Sequence, residues 1–172
     1  MVYTPEEIEI ANKTSRNSPA IGAKAITPRM VRQYIEDNSL DKDEIQILDF
    51  GAGKAAAHAQ KFVEEGFQCL AYEFGANVDP RVHCELALYN KYDIVYASNV
   101  LNVQSSLHML EETIIQIKQV MKEDAVFFAN YPLQPRKMTA AGWQMHATLR
   151  NYFKDVIRVG GTNQAPLWLM KK

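Results

Sequence analysis

From Ile45 the chain reads IQILDF and then GAGK, six mostly apolar residues that run straight into a glycine turn. A run that is apolar on both alternating faces fits a strand covered on both sides, as in a parallel sheet. Parallel neighbours cannot be joined by a hairpin, so each needs a crossover, usually a helix. The next residues supply one: Ala55, Ala59, Phe62 and Val63 share a helical face, and Gly66 ends it. The pattern then recurs, with strands at Phe67–Phe74, Tyr92–Ala97 and Ala125–Ala129. Ser105 or Ser106 caps a helix whose apolar positions Val103, Leu107, Leu110, Ile114, Ile117 and Met121 are spaced by fours and threes. Thr139 opens a further helix through Met145, Leu149 and Phe153, and Val156–Val159, a Gly160-Gly161 turn and Leu167–Met170 predict an antiparallel pair. The fold class that follows is α/β, a mainly parallel sheet with helices on both faces and a C-terminal antiparallel hairpin. Only Val78 to Lys91 breaks the alternation, offering Val82–Leu86 at most, so a third strand in that stretch, between those at Phe67–Phe74 and Tyr92–Ala97, would be short or missing.

Ahead of the first strand, Thr4-Pro5-Glu6-Glu7 combines a capping residue, a proline at the first helical position and an acid three residues after the cap. Asn12 to Ile26 lacks periodicity and reads as a loop. Thr27-Pro28 repeats the start signal, and Met30, Val31, Tyr34 and Ile35 mark a helical face that ends near Asn38. The 172 residues thus divide into an N-terminal helical cap, 1–40, and a sheet core, 45–172, within one domain.

Membrane and secretory classes fit poorly, because no apolar run reaches roughly 18 residues and Glu6, Glu7 and Glu9 stand where a signal peptide is basic and then apolar. A cytoplasmic protein is expected. Cys69 and Cys84 are too few for a disulfide framework and lack metal-ligand partners, so they read as buried free thiols, and no metal is expected. The net charge of −1 is unevenly spread: residues 11–35 sum to +5, 36–125 to −9 and 126–172 to +6. Two basic ends around an acidic middle suit an anionic partner, nucleic acid included, though ordinary surface charge gives the same pattern.

Sheets of this class bind ligands at the carboxyl ends of their strands, so the exit of the first strand is where chemistry belongs. Asp49-Phe50-Gly51-Ala52-Gly53-Lys54-Ala55 allows a tight turn and close approach of a ligand to the backbone. As Gly-x-Gly-x-x-Ala it meets a relaxed dinucleotide fingerprint. Asp49 argues otherwise, since a carboxylate just before the turn would repel a pyrophosphate and favour a cofactor carrying an ammonium and a sulfonium. Glu73, about 20 residues beyond the turn, is placed to accept hydrogen bonds from ribose hydroxyls. A P-loop is disfavoured more strongly, because Leu48 stands where its first glycine belongs and Ala55 replaces the magnesium-binding Ser/Thr.

ILDFGAGKAA, then CLAYEF, then YDIVYASNVLNV resemble the glycine-rich motif, ribose acid and fourth-strand segment of class I S-adenosylmethionine-dependent methyltransferases, over about residues 20–130. AIGAKAITPR and VLNV are also similar to small phage and bacterial methyltransferases associated with DNA phosphorothioation. The resemblance implies a Rossmann-like methyltransferase fold with S-adenosyl-L-methionine as cofactor. It places Asp49, Gly51, Ala52 and Gly53 against the methionine part, Glu73 on the ribose and Phe74 beside the adenine. Asn99 and Val100 would floor the site near the sulfur, and Lys24 would pair with the methionine carboxylate.

The acceptor is harder to read. DNA amino methylation normally uses Asp/Asn/Ser-Pro-Pro-aromatic after the fourth strand, where this chain has Ser98-Asn99-Val100-Leu101. Asn130-Tyr131-Pro132-Leu133, after the next strand, is its nearest echo, which makes Asn99, Asn130 and Tyr131 the candidates for a catalytic part. His108 falls on the solvent side of its helix, and Gly142-Trp143 and Trp168 are core aromatics or base-stacking platforms. With no room for a target-recognition domain, either the acceptor is small or recognition depends on a homo-oligomer or partner protein. Two other functions stay open: a non-catalytic accessory domain of the same fold, and an NAD-dependent oxidoreductase.

Overall fold

The computed structural model describes residues 3–16, 25–131, 140–163 and 165–172. Helix α1 (Pro5–Arg16) starts with the expected capping box: the Glu7 N–H donates to Thr4 Oγ1 at 3.2 Å and the Thr4 N–H to Glu7 Oε2 at 3.0 Å. It runs on through residues expected to be loop, because Tyr3, Ile8 and Ala11 pack with Met109 and Phe74. Tertiary burial here overrides weak local periodicity. Helix α2 (Ile26–Asp37) begins one residue before its expected cap: Ala25 is the N-cap, and Thr27 lies inside, buried. Pro28 is tolerated because the first turn needs no intrahelical N–H bonds.

Strands β1 (Gln46–Phe50), β2 (Gln68–Tyr72), β3 (Tyr92–Ala97) and β4 (Met121–Asn130) are parallel, and β5 (Lys154–Gly161) and β6 (Pro166–Lys171) add an antiparallel hairpin. The order across the sheet is β2-β1-β3-β4-β6-β5. The fold is therefore the expected mixed α/β sheet with its C-terminal hairpin. Between β2 and β3 the chain forms short turns, so β2 is an edge strand among the described residues.

Alternation along the strands sends side chains to two cores. Leu48, Phe50, Val95, Phe127 and Trp168 meet α4 (Leu107–Val120) and α5 (Ala140–Tyr152) on one face. Ile47, Tyr96, Val126 and Phe128 meet α2 and α3 (Ala57–Glu64) on the other. Helix α3 starts later than its apolar residues suggest, after Ala56 in a left-handed conformation, so Ala59 and Phe62 are buried while Ala55 and Val63 are exposed. Ser106 caps α4 by accepting from the Met109 N–H at 3.0 Å. Met121, expected to end that helix, instead starts β4. No described helix is long and apolar enough to cross a membrane.

Candidate cofactor and acceptor site

Gly51 and Gly53 both take positive φ, 77° and 76°, a conformation that an L side chain strains to adopt. The Gly51 and Ala52 N–H groups donate to Tyr72 O at 2.9 and 3.0 Å, tying the turn to the end of β2. A Cβ on Gly51 would sit 2.5 Å from Val100 Cγ2, so this glycine lets the turn close against the segment after β3. A Cβ on Gly53 would meet nothing within 4 Å. The turn is packed on one side and open on the other.

Glu73 stands at the rim of that opening. Its Oε2 accepts the Gly53 N–H at 2.8 Å and its Oε1 the Phe74 N–H at 2.9 Å. Burial raises its carboxyl above the ordinary range, against the pull of those two bonds. His83 closes the far side: one ring nitrogen lies 2.7 Å from Gly53 O, the other accepts from the Asp79 N–H at 2.8 Å. Its position in the patternless stretch after β2 gave the sequence no signal. Phe74 packs its ring on Tyr3, with centroids 5.0 Å apart, and shares a cluster with Ile8, so the lead into α1 and its first turns cover the residues that follow β2.

At the ends of β3 and β4 two amides lock each other. The Asn99 N–H donates to Asn130 Oδ1 at 2.7 Å, Asn130 Nδ2 donates to Asn99 Oδ1 at 2.6 Å, and the Thr27 hydroxyl joins Asn130 Oδ1 at 3.3 Å. Asn99 takes a φ of 57°, a conformation in which asparagine is enriched. Val100, against Gly51, connects this pair to the glycine turn.

Several expectations need correction. Asp49 does not present a charge to a ligand. It alternates with Leu48 and Phe50, falls on the face covered by α2 and α3, and is 2% exposed. Its cross-strand partner Tyr96 donates a hydrogen bond to its Oδ2 at 2.9 Å. Burial lifts its carboxyl to about 7 despite that bond, with Glu73 adding to the rise. Tyr131 is likewise interior: its hydroxyl lies 2.9 Å from His146 Nδ1, its ring stacks on Trp168, and burial pushes its hydroxyl far above the usual tyrosine range. Trp168 is thus a core aromatic and no exposed platform. His108 is half exposed, as expected, but lies 3.1 Å from Glu7 Oε1. Burial pushes the Glu7 carboxyl up, yet bonds from Ser106, the Thr4 N–H and His108 outweigh it and hold the group below its ordinary range. Cys69 is buried and Cys84 partly so, both as free thiols. Lys24 lies outside the described residues, as does the side chain of Trp143. Among the described residues no group of three or more His, Cys, Asp or Glu is placed to hold a metal ion.

Residues 24–156 match the model of a family described as "Methyltransferase domain", and the chain belongs to that family. Solved methyltransferase structures share the fold at low identity. A 1,6-didemethyltoxoflavin-N1-methyltransferase from Burkholderia thailandensis, bound to 1,6-didemethyltoxoflavin and S-adenosylhomocysteine, superposes with a TM-score of 0.63 at 15% identity, covering 99% of this chain and 91% of that one. An S-adenosylmethionine-dependent methyltransferase from Clostridium acetobutylicum gives 0.62 at 11%, covering 95% and 97%. A TehB-like methyltransferase from Corynebacterium glutamicum gives 0.60 at 12%, covering 98% and 100%. A comparison with curated proteins finds no significant match. The sheet is thus Rossmann-like in the methyltransferase manner, and its β3 takes the place expected of a fourth strand. None of these three is described as a phosphorothioation enzyme, so the narrower resemblance gains nothing from them.

Proposed function

We propose that this chain is an S-adenosylmethionine-dependent methyltransferase that takes its cofactor over the Gly51–Gly53 turn and methylates a small acceptor through a lone pair. The observation that carries this is the turn itself, closed on Val100 at Gly51 and open at Gly53, with Glu73 at the rim. The fit to the cofactor is chemical as well as steric. Each Glu73 oxygen accepts one backbone N–H, and a carboxylate oxygen can accept a second bond, which suits ribose hydroxyls. Phe74 would flank the adenine, Asn99 and Val100 would floor the site, and Lys24 would reach the methionine carboxylate. Ala52 would border the methionine part, and Asp49 would act indirectly, through the strand end that carries the turn. When bound, S-adenosylmethionine supplies a methyl group already activated by its sulfonium.

The chain's own task is alignment and exclusion of water. Asn99 and Asn130 hold each other, and the Tyr131 hydroxyl is turned inward and resists deprotonation. None of the three is poised as a base. An amine or ring nitrogen, which needs no deprotonation before attack, therefore fits better than a hydroxyl. That a protein of nearly the same extent binds 1,6-didemethyltoxoflavin supports a small acceptor. A nucleic-acid acceptor rests on charge alone, and some of the basic residues concerned have other engagements: Arg32 pairs with Glu65 and covers Phe62, and Arg158 donates to Gly160 O, Gly161 O and Asn163.

Calorimetric titration with S-adenosylhomocysteine and NADH tests the cofactor, and transfer of labelled methyl to small-molecule, DNA, RNA and protein fractions tests the acceptor. Binding of S-adenosylhomocysteine with label in the small-molecule fraction is expected. Binding without transfer to any fraction would favour an accessory domain, and binding of NADH alone would favour an oxidoreductase. A homo-oligomer that completes the acceptor side would appear as a dimer in sedimentation.

A further inference from the structure

We infer that His83 is a positioning residue that holds the glycine turn open for its ligand, in a turn that lies beside β2 where the described residues form no further strand. The inference rests on the proposed cofactor site. After β2 the chain folds back as a turn over Asp79–Cys84, in which the Val82 and His83 N–H groups donate to Asp79 O at 3.1 and 2.9 Å. Cys84 then donates to Ala71 O at 2.8 Å, fastening the turn to the outer edge of β2. The imidazole is oriented by its own turn, because Nδ1 accepts the Asp79 N–H at 2.8 Å. A ring nitrogen that accepts is unprotonated, so the neutral ring carries its proton on Nε2. That nitrogen lies 2.7 Å from Gly53 O, which also accepts the Ala56 N–H at 3.2 Å.

Gly53 is consequently fixed through both of its peptide units, by Glu73 on its N–H and by His83 and Ala56 on its C=O. Its side-chain position is empty, so no packing against a Cβ restrains it. A glycine left to itself samples positive and negative φ almost equally, and a ligand would then bear the cost of ordering it. Only 8% exposed, His83 bridges the turn and the edge of the sheet, and it removes that cost beforehand.

The test uses the full chain with S-adenosylhomocysteine as probe. His83→Gln keeps a donor where Nε2 lies, and His83→Asn keeps an acceptor where Nδ1 lies but withdraws the donor from Gly53 O. The expected result is near wild-type affinity for His83→Gln and a roughly tenfold loss for His83→Asn, the scale of one hydrogen bond. A merely structural role would weaken both alike or leave both unchanged, and either result overturns the inference. Nitrogen NMR of the unliganded wild type gives a reading that needs no variant: a proton on Nε2 is expected, and a proton on Nδ1 instead overturns it. If the wild type fails to bind the probe, the cofactor site itself is wrong and His83 falls with it. If the wild type binds and His83→Asn binds as tightly, only the role of His83 is lost.

Discussion

The strand ends divide into two unlike halves. At the ends of β1 and β2 the open surface is backbone, held by the main-chain carbonyl of Tyr72 and by the side chains of Glu73 and His83, all of which bond to the Gly51–Gly53 turn. At the ends of β3 and β4 the surface is side chain, and the amides of Asn99 and Asn130 serve each other. A backbone surface suits a ligand shared by every turnover, since it offers fixed peptide groups and little that substitution can alter. A side-chain surface can be respecified residue by residue, which suits the half where the acceptor is proposed to enter. Substitutions in the first half should therefore disturb cofactor affinity more than turnover, and those in the second should disturb turnover more than affinity.

The largest effect is expected at Gly51. Alanine there would combine a left-handed φ with a Cβ 2.5 Å from Val100 Cγ2, and together these should lower stability by about 3 kcal/mol in urea denaturation. Val100→Ala in the same chain should restore part of the loss. An unchanged midpoint for the single variant would mean that the two halves do not close on each other as described.

Asp49 is next and separates support from contact. Its carboxyl is raised to about 7, so its contribution is fully favourable below its ordinary range near 4 and is lost as pH rises through 7. Asp49→Asn should thus gain stability over wild type as pH rises from 4 to 7, by about 3 kcal/mol. Its affinity for S-adenosylhomocysteine should stay close to wild type, whereas Glu73→Gln should bind more weakly. Equal losses in both would return Asp49 to the ligand's side of the turn.

Asn130→Ala should cost about 1–2 kcal/mol by leaving the Asn99 N–H without its acceptor. Its cofactor affinity should fall less than its turnover of the acceptor. Weakened binding of S-adenosylhomocysteine with intact turnover would erase the division between halves.

How much of this the sequence carried depended on whether a residue's partner was near in the chain. The strands were legible from their apolar runs, Tyr92–Ala97 to the residue, and the capping box at Thr4 and Glu7 was legible because both partners lie within one turn. The glycine turn was legible because positive φ leaves a glycine in the sequence. Asp49 was misjudged because its partner Tyr96 is 47 positions away, and only the strand register shows that both share a buried face. Tyr131 failed for the same reason, its neighbours His146 and Trp168 belonging to later elements. His83 could not be found at all, since a turn of that kind carries no periodicity.

The smallest change in stability, and the sharpest probe, is Gly53→Ala. It shares the left-handed φ of Gly51, so it should lose about 1 kcal/mol from that strain. Its Cβ enters empty space, so no packing penalty is added. The added methyl points into the opening that the cofactor is proposed to fill, and affinity for S-adenosylhomocysteine should fall at least tenfold in a chain whose melting temperature has moved by only a few degrees. Two glycines of equal backbone conformation would then differ in kind, Gly51 closing the fold and Gly53 admitting the ligand. Equal affinity in Gly53→Ala and wild type would place the ligand on some other surface.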